Sequence, residues 1–206
     1  MKNIFLVTLL SLLNIQLFNA QKIDFKTKGN IISEKIEKIY PSFTFSNFIY
    51  VNIKQQQLFL VENRATIKKY NISTSKRGVG NKSNSLQTPI GLHKIKSKYG
   101  QGVPIGGILD HRKFNGEIAS INLDTTSTGK DIICTRVIRI IGIEDGVNKG
   151  GEVDTYLRKI YLHGTNEEGL IGKESSHGCV RMKNQDIVDL FDRVKKDMIV
   201  VMLDNL

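Results

Sequence analysis

A chain of 206 residues is long enough for one domain with a sizeable core and too short for two large ones. Its 30 lysines and arginines against 20 acidic residues give a net charge of +10, but the lysines are scattered among isoleucines and asparagines instead of gathered into a patch. That scatter argues against a nucleic-acid surface and reads as a solvated lysine-rich exterior, with attraction to an anionic, carboxylate-rich polymer as the functional alternative.

In chain order, residues 1–20 carry Lys2, an apolar run from Ile4 to Leu13 and a more polar stretch ending at Ala20, the pattern of a secretory signal peptide. The expected cut follows Ala20, with Phe18 bulkier than the small residue usual three positions before a cut. Asn14 and Gln16 interrupt the run well short of the roughly 20 apolar residues a spanning helix needs. The reading is therefore an exported protein of the periplasm or cell envelope, with no stable membrane span after cleavage. No cysteine lies near the cut to carry a lipid. Residues 21–46 form a leader in which Ile31, Ile32, Ile36 and Ile39 predict a short helix ending before Pro41.

A domain over 47–203 follows. Phe48 to Ile53 and Leu58 to Val61, joined by the polar link Lys54 to Gln57, predict a hairpin. A strand is expected over 66–72. The glycine-, asparagine- and serine-rich segment 76–87, leading into Thr88-Pro89-Ile90-Gly91, reads as a connection between strands more than as a loop over a site. Further strands over 118–123, 132–143 and 159–162 make the domain mainly β. Ile187, Leu190, Phe191 and Val194 recur at helical spacing and predict a helix over 184–194 with Asn184 as its cap. The run from Met198 to Leu203 reads as a final buried strand.

Cys134 and Cys179 are the only cysteines. Exported proteins usually pair their cysteines, but a disulfide here would mask the thiol in Ser176-His177-Gly178-Cys179-Val180-Arg181-Met182. Cys134 sits in a strand-like apolar run, where a buried cysteine behaves as a small hydrophobe, so the reading is two free thiols with Cys134 inert. A thiol is a strong nucleophile only as thiolate, which neighbouring cations favour, and Cys179 has His177, Arg181 and the upstream His163 as candidates. On a strand, positions 177, 179 and 181 would share one face. His163, closing the apolar run Ile160-Tyr161-Leu162, could arrive from a neighbouring strand to take the thiol proton. Gly178 would let the backbone approach a reacting carbonyl, with amides around Gly178 and Cys179 binding the oxyanion. The inventory is that of acyl transfer.

His163, His177 and Cys179 are also metal-ligand types, but no further cysteine, histidine or tight carboxylate pair completes a zinc pattern, so neither metal nor cofactor is expected. His93 and His111 read as ordinary surface or loop residues. The stretch from Glu144 to Gly150 lacks the alternating ligands of a calcium loop.

These residues resemble the L,D-transpeptidase (YkuD-like) catalytic domain, whose signature is an upstream His-Gly followed, after a glycine-containing loop, by Ser/Thr-His-Gly-Cys, an aliphatic residue and Arg or Asn. Here that is His163-Gly164-Thr165-Asn166, then Gly172-Lys173, then Ser175 to Met182. The resemblance extends to the early hairpin and to Thr88-Pro89-Ile90-Gly91, covering about 47–203. It implies an L,D-transpeptidase-like β-sandwich or barrel with a short helix after the catalytic cysteine. It further implies Cys179 as acylated nucleophile and His163 as general base, oriented by the Gly164 carbonyl, with no acidic third member. Ser176, His177 and Gly178 would shape the oxyanion pocket and turn, and Arg181 would support the site or meet a substrate carboxylate. The implied substrates are peptidoglycan stem tetrapeptides, which lose D-alanine and pass the acyl group to another stem's amine, an envelope protein's lysine, a D-amino acid or water. Transpeptidation is the leading expectation. L,D-carboxypeptidase action and a catalytically silent wall-binding module are the alternatives.

Overall fold

The computed structural model describes residue 24 and residues 26–206, so the signal segment expected over 1–20 lies outside the described residues. The described residues form two compact units, one of those from 26 to 47 with Leu60–Lys68, the other of Phe48–Phe59 with Lys69–Leu206.

In the first unit a helix, α1, runs over 26–39 and stops before Pro41. Its inward stripe is Gly29, Ile32, Ser33 and Ile36, whereas Ile31 and Ile39 are about half exposed; the i, i+3, i+4, i+7 spacing thus runs through Gly29 and Ser33, not through all four isoleucines. Gly29 brings the helix close to the turn at 64–66, where an added Cβ would lie 2.3 Å from the Thr66 nitrogen. Glu37 receives Arg64 at 2.6 Å and the Phe45 amide at 3.0 Å.

The larger unit is mainly β, as expected. The chain's strands are β1 (Phe48–Asn52), β2 (Gln57–Glu62), β3 (Ala65–Ser73), β4 (Gly91–Tyr99), β5 (Gly107–Asp110), β6 (Lys113–Ile118), β7 (Ile133–Gly142), β8 (Tyr161–Thr165), β9 (Val180–Met182) and β10 (Ile199–Leu203). They form one mixed sheet in the order β4-β10-β1-β2-β3-β9-β8-β7-β5-β6, and β4 also pairs with β7, so eight strands close a ring of pairings from which β5 and β6 branch. The pairs β1–β10 and β8–β9 are parallel. Every residue of β1 and β8 is buried, which is why β1 reads as an apolar run from Phe48 to Val51 with no alternation; β6 is exposed along its whole length. Helix α2 (Asn184–Arg193) packs Ile187, Leu190 and Phe191 against β7 and β8.

Four local expectations change. The strand expected over 118–123 ends at Ile118, because Asn122 instead folds the chain through its side chain, accepting the Asp124 amide at 2.9 Å and donating to Thr126 O at 2.9 Å. The strand expected from Lys159 starts at Tyr161, since Lys159 adopts a left-handed φ of 57°. Asn184 is the first helical residue and not the cap; the capping acceptor comes from Glu168, whose carboxylate takes the Asn184 amide at 2.7 Å. His93, read as a surface or loop residue, is fully buried on β4. Its Nδ1 donates to Gly91 O and its Nε2 accepts from Thr155 Oγ1, both at 3.1 Å. His111 is exposed, in the turn between β5 and β6.

Candidate active site

The parallel pairing of β8 with β9 sets the geometry. Leu162 lies opposite Val180, His163 opposite Arg181 and Gly164 opposite Met182. One step back, this register brings Cys179 level with Tyr161, and His163 stands about 6.6 Å further along the same strand. Residues two apart on a strand point to one face, and register partners share it. Cys179, Tyr161, His163 and Arg181 therefore belong to one side of the sheet. Cys179 packs against the buried cluster of Leu109, Val137 and Tyr161, together with Tyr99, Val103 and Ile133.

The expectation that 177, 179 and 181 share a strand face does not hold, because β9 starts at Val180 and His177 lies in the turn before it. That turn is closed by Ser176, whose hydroxyl donates to Cys179 O at 2.7 Å and accepts the Gly178 amide at 3.2 Å. Gly178 has φ of +124°, in the region that favours glycine. His177 is exposed and turned outward, with its amide and Nδ1 donating to Asp131 Oδ2 at 3.2 and 2.9 Å. The segment 76–87, expected to serve as a connection, lies against this turn. The Lys76 amide donates to Ser176 O at 3.2 Å, and Thr88 Oγ1 donates to Gly178 O at 3.1 Å. Arg158 holds the segment there, donating to Gly80 O at 3.0 Å and Gln87 O at 2.5 Å.

His163 is almost wholly buried, and its Nδ1 lies 2.8 Å from Gly164 O. A carbonyl only accepts, so Nδ1 carries the hydrogen and a neutral ring keeps its lone pair on Nε2. Burial holds the imidazole below its ordinary value, against the opposing pull of Asp131 and the Gly164 carbonyl. Burial also pushes the Cys179 thiol up to about 12; a backbone hydrogen bond from Tyr161 works against that, as do the charges of Arg158 and Arg181, while Asp131 adds to it. Both shifts favour the neutral form of the group concerned. Both cysteines are free, and Cys134 is buried with its thiol likewise raised to about 12 by burial.

Arg181 is fully buried, and its guanidinium is taken up inside the protein. It donates to Glu167 at 2.7 Å and Asp131 at 3.3 Å, and also bonds Ser73 and Ser175. Burial works to raise Asp131, but His163, Arg181 and His177 outweigh it and hold the carboxyl below its usual range. The residues missed from the sequence are thus Asp131, Glu167 and Arg158. Asp131 stands just ahead of the strand-like run at 132–143, the one signal that placed a carboxylate at the end of a strand beside β8.

Gly164 fills a gap no side chain would fit: a Cβ there would lie 2.4 Å from Asn184 Oδ1 and 2.7 Å from Cys134 O.

The domain pattern described as "YkuD: L,D-transpeptidase catalytic domain" matches residues 46–202. The chain is 46% identical over 48 residues to the Escherichia coli (strain K12) protein named "Probable L,D-transpeptidase YbiS", a match covering 23% of this chain and 16% of that protein. Among solved structures, an L,D-transpeptidase from Mycobacterium smegmatis aligns with 77% of this chain and 58% of its own at a TM-score of 0.47 and 14% identity. Bd1075 of Bdellovibrio bacteriovorus aligns with 78% and 49% at 0.47 and 19%. The chain thus matches a small part of that curated relative and about half of each solved chain. The domain match itself spans well over half of the 206 residues, and on that ground the chain belongs to the family of L,D-transpeptidase catalytic domains.

Proposed function

We propose that the protein is an exported, cysteine-dependent L,D-transpeptidase acting on peptidoglycan stem tetrapeptides in the periplasm or cell envelope, with residues 47–203 as its catalytic domain. The observation that carries this reading is the β8–β9 register, which sets Cys179 and His163 on one face while Gly164 O fixes the imidazole with Nε2 as the free base. As the Cys179 sulfur attacks the carbonyl at the L-centre of the third stem residue, its proton passes to His163 Nε2. The tetrahedral intermediate then collapses. His163 returns the proton to the departing nitrogen of D-alanine, leaving a thioester on Cys179. An acceptor amine attacks the thioester and loses a proton to His163, which protonates the departing thiolate and restores the resting pair.

The Gly178 amide is given to Ser176 and the His177 amide to Asp131, so the oxyanion falls to the Cys179 amide, with Ser176 and Gly178 fixing the turn. His177 acts through Asp131. Arg181, neutralised by Glu167 and Asp131, supports the site, and a substrate carboxylate would have to displace those partners to reach it. No step calls for a metal or cofactor.

The test is incubation with purified muropeptide tetrapeptides beside Cys179→Ala, with products and acyl-enzyme read by mass spectrometry. Loss of D-alanine with a cross-linked product and a Cys179 adduct is expected. Tripeptide alone would assign the carboxypeptidase reaction, and the absence of any Cys179-dependent product would overturn the enzyme reading in favour of a wall-binding module.

A further inference from the structure

The face that carries Cys179 continues across two more strands. Tyr161 of β8 pairs with Arg139 of β7, and Arg139 pairs on its other side with Ser97 of β4; Val137, also on that face, pairs with Tyr99. Arg139 is only 8% exposed. Its guanidinium stacks 3.6 Å from the centre of the Tyr156 ring, and its Nη2 donates to Tyr156 O at 3.1 Å. Its Nε has no hydrogen-bond partner. Arg112, from the turn between β5 and β6, lies 5.5 Å from the centre of the Tyr99 ring and donates to the Tyr161 hydroxyl at 3.4 Å. The Tyr99 hydroxyl accepts from Ser97 at 3.0 Å.

Charge balance separates this group from the rest of the site. Arg181, on the same face, is neutralised by two carboxylates. Among the described residues neither Arg112 nor Arg139 forms an ion pair with a carboxylate, and their neighbours are tyrosines and neutral carbonyls. A buried guanidinium without a counter-charge is costly, and a guanidinium fork matches a carboxylate in shape and charge. This cluster of two guanidiniums and two phenols thus carries no anion of the protein's own.

We propose that Arg139 and Arg112, with the hydroxyls of Tyr99 and Tyr161, form a carboxylate-binding subsite that holds a free carboxylate of the donor stem and so seats its scissile carbonyl against Cys179. This rests on the proposed function. Arg139 is two strand spacings from Cys179, about 10 Å between backbones. A carboxylate within one residue's reach of the scissile carbonyl fits. Three lie in that range: one on the residue before the scissile one, one at the end of the scissile residue's own side chain, and that of the terminal D-alanine.

The experiment measures binding and chemistry separately. Binding is measured by calorimetry on the full chain carrying Cys179→Ala, using the native tetrapeptide stem and three stems each with one carboxylate converted to its amide. The same stems are given to the active enzyme, alone and with Arg112→Gln or Arg139→Gln, and acylation of Cys179 is followed by mass. One amide is expected to weaken binding tenfold or more and to raise KM by a similar factor with kcat within about twofold. That amide should cost nothing further once Arg112 is glutamine, a non-additivity that a merely structural arginine would not show. The identity of the sensitive amide names the carboxylate held. Arg139→Gln should behave alike; if it fails to fold, Arg112→Gln, on the turn, carries the test. Binding that ignores all three amides while Cys179 is still acylated would overturn the subsite. Carboxylate-dependent binding with no acylation would overturn the proposed function and leave the subsite standing.

Discussion

At the scale of single residues, burial raises the Cys179 thiol to about 12 and lowers the His163 imidazole. On the proposed reading the thiolate would therefore arise during attack instead of being stored as an ion pair. The rate of Cys179 alkylation by iodoacetamide should therefore climb about tenfold per pH unit from pH 7 to 10, without a plateau, as a thiol titrating at about 12 requires. A plateau by pH 8 would mean a preformed thiolate–imidazolium pair. The motif around Cys179 and the upstream His163 made the nucleophile and base candidates legible in the sequence, because both are rare residue types in short, distinctive contexts. Asp131 and Glu167 were not legible: an acidic residue is common in a chain of this composition, and only the fold brings these two to Arg181.

At the scale of elements, a short parallel pair governs the site. Parallel neighbours need a crossover, and here it runs from Thr165 to Cys179, carrying the Glu168 carboxylate that caps α2 and the turn that presents the thiol. Gly164 is the junction, since its carbonyl fixes His163 while its missing side chain admits Asn184 and the β7 backbone. Asn184 has little freedom to yield: its Oδ1 accepts Thr135 Oγ1 at 2.6 Å, and its Nδ2 donates to Thr165 O at 2.8 Å. Gly164→Ala should cost about 1–3 kcal/mol through overpacking, lowering the thermal midpoint by about 5 °C, with catalysis falling as the His163 acceptor shifts. An unchanged midpoint would show that α2 and β8 can part without cost.

Long apolar runs such as Phe48 to Ile53, 132–143 and 198–203 announced their strands. The lysine-bearing β4, the exposed β6 and the three-residue β9 did not, because their pairing partners, not their own composition, make them strands. The cap of α2 and the loop against the cysteine turn escaped for the same reason: each depends on a residue far away in sequence, Glu168 in one case and Arg158 in the other.

At the scale of the whole molecule, buried ionisable groups set how the fold answers to acid. His93 is wholly buried; burial first, and the Arg158 charge with it, lowers it from 6.5 to about 4 against the Gly91 carbonyl. Between those values the unfolded chain binds a proton that the folded one refuses, so stability rises with pH across the window and is lost as pH falls through it. The size is roughly 3 kcal/mol for His93 at about 1.4 kcal/mol per unit, and His163, lowered for the same first reason, acts in the same direction. Asp131 and Glu167 are shifted down as well, in their case toward the charged form, held low by His163 and Arg181 for Asp131 and by Thr128 and Arg181 for Glu167, against the burial that would raise them. Their contribution is complete above the ordinary carboxylate range and disappears only as pH falls below it. Acid sensitivity should therefore come in two steps, a histidine step above about pH 4 and a carboxylate step below. Melting curves taken from pH 7 to 4 should show the midpoint falling by about 10 °C, and His93→Gln, neutral throughout, should flatten most of that slope while leaving the steeper loss below pH 4 in place. An undiminished slope in the variant would mean that His93 accepts its proton without leaving the core, and that the upper step belongs to His163.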